Sequence, residues 1–517
     1  MSTIDSGRRR LIQGIGVGLL LPSVAPAVIA SPKQRPKLLE GVQSGDIQGD
    51  QAIVWSRCDR DARMIVEWDT RESFRHARRL VSPVATAQSD FTARVDLRGL
   101  PADQSIFYRV RFESLQDGTW SEPVFGHLRS APAKRTDIRF VWSGDTVGQG
   151  FGINPDIGGM RIYEAMRQRH PDFFLHSGDT IYSDGPLEAQ LTTVEGKVWR
   201  NITTEAKSKV AEALDEYRGN YRYNLMDENL RRFNAEVPQI WQWDDHETTN
   251  NWSSTKVLDE RYTEKDINVL AQRSRKAYLE YAPMRLQRGD DEGRIYRKIS
   301  YGPRLDIFVL DMRSYRGGNS TNVQSEMGPE TAFLGRTQLD WLKRELKQSR
   351  ATWKVIAADM PIGLNVQDGT DATGQARWEA IANGNDGTAL GRELEIAHLL
   401  HYIRQTKIQN TVWLTADVHY CAAHHYDPNR AAFQDFEPFW EFVAGPLNAG
   451  AFGPNTLDKT FGPEAVFVKA PPVANSSPLS GFQFFGEVNI EGHSGELTVT
   501  LRDLDGKAVY EKALQPA

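Results

Sequence analysis

Six apolar runs between residues 137 and 419 each stop at an acid-bearing loop: DIRFVWSGD, DFFLHSGD, QIWQWDDHE, LDIFVLDMR, WKVIAADMP and NTVWLTADVH. A run that is apolar at nearly every position has both faces buried, the condition of a strand inside a largely parallel sheet. Helical patterns separate several of these runs, at 160–169, about 205–234, 265–281, 337–348 and 389–405. Strands alternating with helices specify an α/β domain, here a layered αββα arrangement over residues 137–517. In such sheets the functional groups sit on loops at the carboxyl ends of the strands.

The part before residue 137 has another pattern. AIVWSR (52–57), RMIVEWD (63–69), FTARVDL (91–97) and IFYRVRFES (106–114) are short, β-rich and partly alternating. They predict an all-β, fibronectin-like sandwich over residues 31–132, with residues 131–135 (APAKR) as linker. It carries no identifiable chemistry and is expected only to pack beside the catalytic domain. The tail, FGEVNIEGHSGELTVTLRDLDGKAVYEKAL, predicts antiparallel strands around an Asp505-Gly506 turn.

At 517 residues the chain exceeds one ordinary core. Residues 1–30 hold Arg8-Arg9-Arg10-Leu11-Ile12, an apolar run to Val28, and small residues at the cleavage spacing up to Ala30. That is the layout of a twin-arginine signal peptide, with a basic amphipathic helix as the alternative. It predicts passage through the twin-arginine export machinery and a periplasmic or secreted location. Nothing after residue 30 is long and apolar enough to span a membrane. Two cysteines, Cys58 and Cys421, cannot build a disulfide framework and are taken as unpaired. A net charge of −6 gives no sign of a nucleic-acid surface.

The acids at the strand ends carry the chemistry: Asp145, Asp179, Asp244, Asp245, Asp359 and Asp417, joined by Tyr182, His246 and His419. One such acid is ordinarily a turn residue or a helix cap. Acids converging on one sheet edge raise one another's pKa unless a cation sits among them. Carboxylate, phenolate and amide oxygens with one or two imidazoles suit hard or borderline cations, and a tyrosinate suits ferric iron. Two metals close together are a usual device for displacement at phosphorus. Asp179, central in the series, is the candidate bridging ligand, and Tyr182 the candidate ligand of one metal.

The order SGD, SGDTIYSDGP, WDDHETTNNW, ADVH, behind a strand-rich module carrying GVQSGDIQGDQAIVWSR, resembles the PhoD-like alkaline phosphatases. These belong to the metallophosphoesterase superfamily, in its tyrosine-containing branch with the purple acid phosphatases. The resemblance implies a first, iron-type site from Asp145, Asp179, Tyr182 and His419. It implies a second site from Asp179, Asp245 and Asp417, with Asp359 as a fourth ligand. Acids at Asp245 and Asp417 stand where the wider superfamily has Asn and His, which favours calcium over zinc. Fe(III) with Ca(II) is therefore expected, with Zn or Mn as alternatives. The family pattern can place a cysteine at Asp145, which leaves the first metal's identity and redox behaviour open. The resemblance makes His246, beside Asp245, the group that contacts phosphate and protonates the leaving oxygen; a structural histidine satisfied by adjacent acids is the other reading.

Asn250 and Asn251 fit either substrate binding or a turn. Arg313 fits either a bidentate phosphate contact or a surface ion pair. His424 and His425 fit the entrance or the core, and His176 a strand core. GQGFGI (148–153) lacks the glycine spacing of a dinucleotide loop. The expected activity is hydrolysis of phosphomonoesters or phosphodiesters by a metal-bound hydroxide. A phospholipase D-like action on lipid head groups is the near alternative, and a non-catalytic calcium-binding adhesion protein the distant one.

Overall fold

The computed structural model describes residues 35–287 and 293–517, so the signal-like stretch 1–30 lies outside the described residues. All six acid-tipped runs are strands. In chain order the elements begin β1 Val42–Gln48, β2 Gln51–Arg57, β3 Ala62–Asp69, β4 Arg78–Ala85, β5 Thr92–Leu97, β6 Ser105–Ser114, β7 Val124–Arg129, β8 Ile138–Ser143, α1 Arg161–Arg167 and β9 Phe173–Ser177. They continue with β10 Gln190–Thr192, β11 Val198–Arg200, α2 Leu214–Asn224, α3 Glu228–Glu236, β12 Gln239–Gln242, α4 Ile267–Tyr281, β13 Arg297–Tyr301 and β14 Leu305–Val309. Then come α5 Arg336–Gln348, β15 Trp353–Ala357, β16 Gln367–Thr370, β17 Ala376–Trp378, α6 Glu393–Gln405 and β18 Thr411–Thr415. The chain ends in β19 Cys421–Tyr426, β20 Phe439–Val443, β21 Pro463–Lys469, β22 Phe484–Ile490, β23 Leu497–Asp503 and β24 Ala508–Leu514.

Two sheets carry the six runs. One has nine strands in the order β24-β23-β22-β8-β9-β12-β1-β2-β5, the other seven in the order β13-β14-β15-β18-β20-β19-β21. β8, β9 and β12 run parallel at the centre of the first. β14, β15, β18 and β20 run parallel in the second. Successive side chains on a strand point to opposite faces, and this sorts the layers. Phe140, Trp142, Leu175 and Ile240 of the first sheet share one buried core with Ile307, Val309, Val355 and Leu414 of the second. The residues between them turn outward: Val141, Phe174 and Trp241 meet Ile162, Phe233 and Tyr278 of α1, α3 and α4. Phe308, Ile356 and Trp413 meet Leu339, Leu342, Ile396 and Leu399 of α5 and α6. The result is the expected αββα stack. Each large apolar side chain so buried contributes roughly 1.5–3 kcal/mol.

The helical pattern at 205–234 divides into α2 and α3 because Asp227 stops it. Its Oδ1 accepts from the Leu230 N–H at 2.9 Å and caps α3, while its Oδ2 accepts from the Met160 N–H at 2.8 Å. The tail forms the expected antiparallel strands, β22 to β24, and β22 pairs with β8. The Gly506 N–H donates to the Asp503 carbonyl at 2.9 Å and closes the turn.

The N-terminal strands form two layers, β1-β2-β5 and β4-β3-β6-β7. They do more than pack beside the catalytic part: β1 pairs in parallel with β12 through Gly45 and Gln239, so the first layer continues the catalytic sheet. Gly45 permits it, since a Cβ there would lie 2.4 Å from the carbonyl oxygens of Gln239 and Pro283. Beside it the buried Arg297 guanidinium holds Asp46, with Nη2 to Oδ1 at 2.7 Å, and the Arg285 N–H donates to Asp46 Oδ2 at 2.7 Å.

Candidate metal centre

Because the central strands are parallel within each sheet, their carboxyl ends gather at one edge. The first sheet delivers Asp145 after β8, Asp179 after β9 and Asp244 to Glu247 after β12; the second delivers Arg313 after β14, Asp359 after β15, and Asp417 and His419 after β18. The backbone at this edge is strained. Asp145, Asp179, Asp417 and His419 have φ of 70°, 51°, 64° and 60°, in the left-handed region that residues other than glycine avoid. Such strain costs on the order of 1–3 kcal/mol per residue and clusters at functional sites. Gly178, at φ 100°, lets the loops close, since a Cβ there would lie 2.5 Å from Asp244 Cβ.

Three groups of side chains converge. Ligand atoms of Asp145, Asp179 and His419 lie within 4.8 Å of one another, as do those of Asp179, Asp245 and His246, and those of Asp244, Asp245 and Asp417. Asp179 and Asp245 each belong to two groups. Tyr182 Oη is 2.8 Å from His419 Nε2. Asp359 belongs to none of the three; its Oδ2 is 3.3 Å from Arg313 Nε. Asp244, one of the acids at the β12 end, joins the cluster, although the second site expected from the resemblance did not include it.

These residues fit metal cations. Both Asp145 oxygens, Asp244 Oδ2 and Asp245 Oδ1 are buried without a hydrogen-bond partner, an arrangement that is costly unless a cation satisfies it. Burial raises Asp145 well above the usual carboxylate range and the Asp417 charge raises it further. Burial also raises Asp179, with Asp245 adding to it and His246 opposing. Asp417 is pushed up to about 7 by burial and by Asp245. Burial, Asp179 and Asp145 hold the Tyr182 phenol well above its ordinary value. Burial pushes His419 down to about 4, leaving a neutral imidazole. Its Nδ1 donates to the Gly450 carbonyl and its Nε2 faces Tyr182 and Asp145. A backbone carbonyl on the far nitrogen is the usual device for orienting a metal-binding histidine.

His246, a member of the second group, has a partner that sequence reasoning left without a role. Its Nδ1 meets Asp184 Oδ1 at 2.7 Å, and Asp184 Oδ2 accepts from the Asn250 N–H at 2.8 Å. Burial lowers the His246 pKa, but Asp184, Asp245 and Asp179 together raise it well above its ordinary value. The adjacent Glu247 serves otherwise: Oε1 accepts from the Thr180 N–H and hydroxyl, each at 2.6 Å, and Oε2 from the Asp244 N–H at 2.8 Å. It ties the β9 loop to the β12 loop. Under the Tyr182–Asp184 turn lies the buried Lys207, whose Nζ donates to the Tyr182 carbonyl at 2.7 Å and to Asn220 Oδ1 at 3.0 Å. The acid five residues after Asp179 was a legible hint of Asp184; no local pattern marks Lys207.

The structure places the remaining candidates as follows. Arg313 is neither on the surface nor free for a phosphate, because Asp244 and Glu379 already hold its buried guanidinium. Asn250 and Asn251 contribute as a turn: their backbone N–H groups donate to Asp184 and Asp245, and the Asn251 amide donates to Asp368 Oδ1 at 3.0 Å. His424 is core, with Nδ1 2.9 Å from Glu441 Oε2. His425 is half-buried and packs on Trp440. His176 is buried in β9, 3.2 Å from Thr146 Oγ1. Cys58 and Cys421 are buried and unpaired.

Facing sheets between helix layers, with carboxylates gathered where the parallel strands end, are the architecture of a metallophosphoesterase. The chain belongs to the PhoD-like phosphatase family: that family's model matches residues 140–501, and the model of the PhoD-like phosphatase N-terminal domain matches residues 23–132. Alkaline phosphatase D of Bacillus subtilis (strain 168) is 27% identical over 478 residues, covering 86% of this chain and 77% of that protein. The solved structure of PhoD superposes with a TM-score of 0.68 at 21% identity, over 92% of this chain and 89% of that one. The purple acid phosphatase PPD1 from yellow lupin (Lupinus luteus) seeds superposes with a TM-score of 0.53 at 13% identity, over 93% and 74%. The two superpositions establish the fold.

Proposed function

We propose that this protein is an exported, metal-dependent phosphoesterase that hydrolyses phosphomonoesters, phosphodiesters or both. The observation that carries the proposal is the convergence of buried carboxylates, among which both Asp145 oxygens, Asp244 Oδ2 and Asp245 Oδ1 have no hydrogen-bond partner. Asp145, Asp179, Tyr182 and His419 would hold an iron-type cation, and Asp179, Asp245 and Asp417 a calcium-type cation in an oxygen-rich setting. Asp359 reaches the centre only beside Arg313 and is assigned an outer, orienting place. When bound, the metals supply electrophilic ligation of the phosphoryl oxygens and a nucleophilic water at neutral pH.

The chain's own part is proton management. As a P–O bond to water forms and the bond to the leaving oxygen breaks, that oxygen needs a proton. His246 holds one on the nitrogen away from Asp184, while Asp184 and the Asn250 N–H fix the ring. The burial of Asp145, Asp179 and Tyr182 keeps bulk water from screening these charges.

The test is metal content by mass spectrometry on the native protein, beside hydrolysis of a chromogenic monoester and diester with and without chelator. Iron with calcium and chelator-sensitive turnover are expected. Absence of both metal and hydrolysis would overturn the proposal. Export rests on Arg9 and Arg10. A reporter fused to residues 1–30 should leave the cytoplasm, and the Arg9→Lys, Arg10→Lys form should stay inside.

A further inference from the structure

GQGFGI, whose glycine spacing does not suit a dinucleotide, lies against the Tyr182 ring. A Cβ at Gly148 would stand 2.6, 2.7 and 2.9 Å from Tyr182 Cζ, Cε1 and Cε2. Near-equal distances to three ring carbons place it over a face of the ring and away from its edge. The His246 imidazole packs on the same ring, with centroids 4.2 Å apart and planes inclined by 31°. Two groups so close to one ring take opposite faces, so Tyr182 is held between Gly148 and His246. At its rim, Oη is 2.8 Å from His419 Nε2. Neither side can retreat. The Val147 and Gly148 N–H groups both donate to the Asn448 carbonyl, at 2.8 and 3.2 Å. Across the ring, the Ser183 N–H donates to the His246 carbonyl at 2.9 Å, and His246 Nδ1 is 2.7 Å from Asp184 Oδ1. Lys207 Nζ holds the Tyr182 carbonyl at 2.7 Å, which leaves the ring free only to pivot.

We propose that Gly148 is a positioning residue: it sets the Tyr182 ring so that one side chain both aims its oxygen at the group of Asp145, Asp179 and His419 and backs the His246 proton donor. The proposal rests on reading the centre as a phosphoesterase site. A methyl group at 148 would force the ring to withdraw by about 1 Å to reach an ordinary carbon–carbon contact. The ring would then swing Oη away from His419 or press on His246 and disturb its bond to Asp184. A misplacement of about 1 Å can cost about 10²-fold in rate. Gly148 has no side chain to offer substrate or metal, so its whole effect passes through Tyr182 and His246.

The test is Gly148→Ala in the full-length protein with its native metals, followed by metal analysis, visible absorption, melting temperature and turnover of an alkyl phosphate and of 4-nitrophenyl phosphate. Metal content should match the parent's while the visible band moves. Turnover of the alkyl ester should fall at least about tenfold further than that of the nitrophenyl ester, because only the former needs the proton of His246. The second arm needs no activity: a double-mutant cycle with Tyr182→Ala, read by melting temperature. Gly148→Ala should lower the melting temperature of the parent and leave that of Tyr182→Ala unchanged, since the ring that the methyl group meets is then gone. If Gly148→Ala does not fold alone, the double variant should fold as Tyr182→Ala does, which would equally support the proposal. An unmoved band with the parent's ratio of the two esters would overturn it, and so would additive losses in the cycle or a double variant that does not fold. A parent protein without metal or hydrolysis would instead remove the phosphoesterase reading, while the cycle would still report the contact between Gly148 and Tyr182.

Discussion

Asp184→Asn isolates the proton donor from the metal ligands. Asp184 uses both oxygens as acceptors, one for His246 Nδ1 at 2.7 Å and one for the Asn250 N–H at 2.8 Å. Asparagine has a single acceptor oxygen, so one of these buried donors must face an NH2 group, at a cost of roughly 1–3 kcal/mol. The lost charge matters more. Opposite unit charges 4 Å apart at an effective dielectric constant near 20 attract by about 4 kcal/mol, and that attraction favours His246 only while it is protonated. Asp245 and Asp179 also hold the protonated ring, so the net loss is nearer 3 kcal/mol, or about 10²-fold in rate at about 1.4 kcal/mol per tenfold. The assay compares an alkyl phosphate, whose leaving oxygen needs a proton, with 4-nitrophenyl phosphate, whose phenolate leaves without one. Turnover of the alkyl ester should fall about 10²-fold and that of the nitrophenyl ester less than about tenfold, at unchanged metal content. Equal losses on the two esters would refute the assignment of His246 as proton donor, because a general disturbance of the site would not depend on the leaving group.

Three further perturbations have definite outcomes. Asp179→Asn should lose bound metal and activity together, since Asp179 belongs to two of the converging groups; metal analysis beside turnover decides, and full activity would remove Asp179 from its bridging place. Tyr182→Phe should abolish the visible absorption expected of a ferric tyrosinate while the melting temperature stays close to the parent's; an unchanged spectrum would show that the phenol does not bind the iron. Asp46→Ala should lower unfolding free energy in urea by about 3–5 kcal/mol, because it strands the Arg297 guanidinium in a buried position. A loss below about 1 kcal/mol would mean that the pair does not join the N-terminal layer to the catalytic sheet.

The chain by itself determined the layers and the edge where the chemistry lies. Runs such as DFFLHSGD and NTVWLTADVH are legible as strands buried on both faces, and their terminal acids follow from the rule that parallel strands present their carboxyl ends together. The two ends of the sheets are therefore distinguishable in the sequence itself. Which side chains touch was decided only by the tertiary structure. WDDHE offers His246 a neighbouring glutamate, yet the ring pairs with Asp184 of another loop, and Glu247 turns away to hold Thr180. LDMRSYR offers a basic residue to solvent or substrate, yet Arg313 faces inward and meets acids from the loops of two other strands and from β17's far end. GVQSGD belongs by composition to a separate sandwich, yet Gly45 lets β1 lie against β12 and extend the catalytic sheet. The physical reason is common to all three. Periodicity reports whether a residue is buried, a property of its own strand. Charge pairing and strand pairing depend on which segments become neighbours across long stretches of chain, and that order is set by the packing of whole layers.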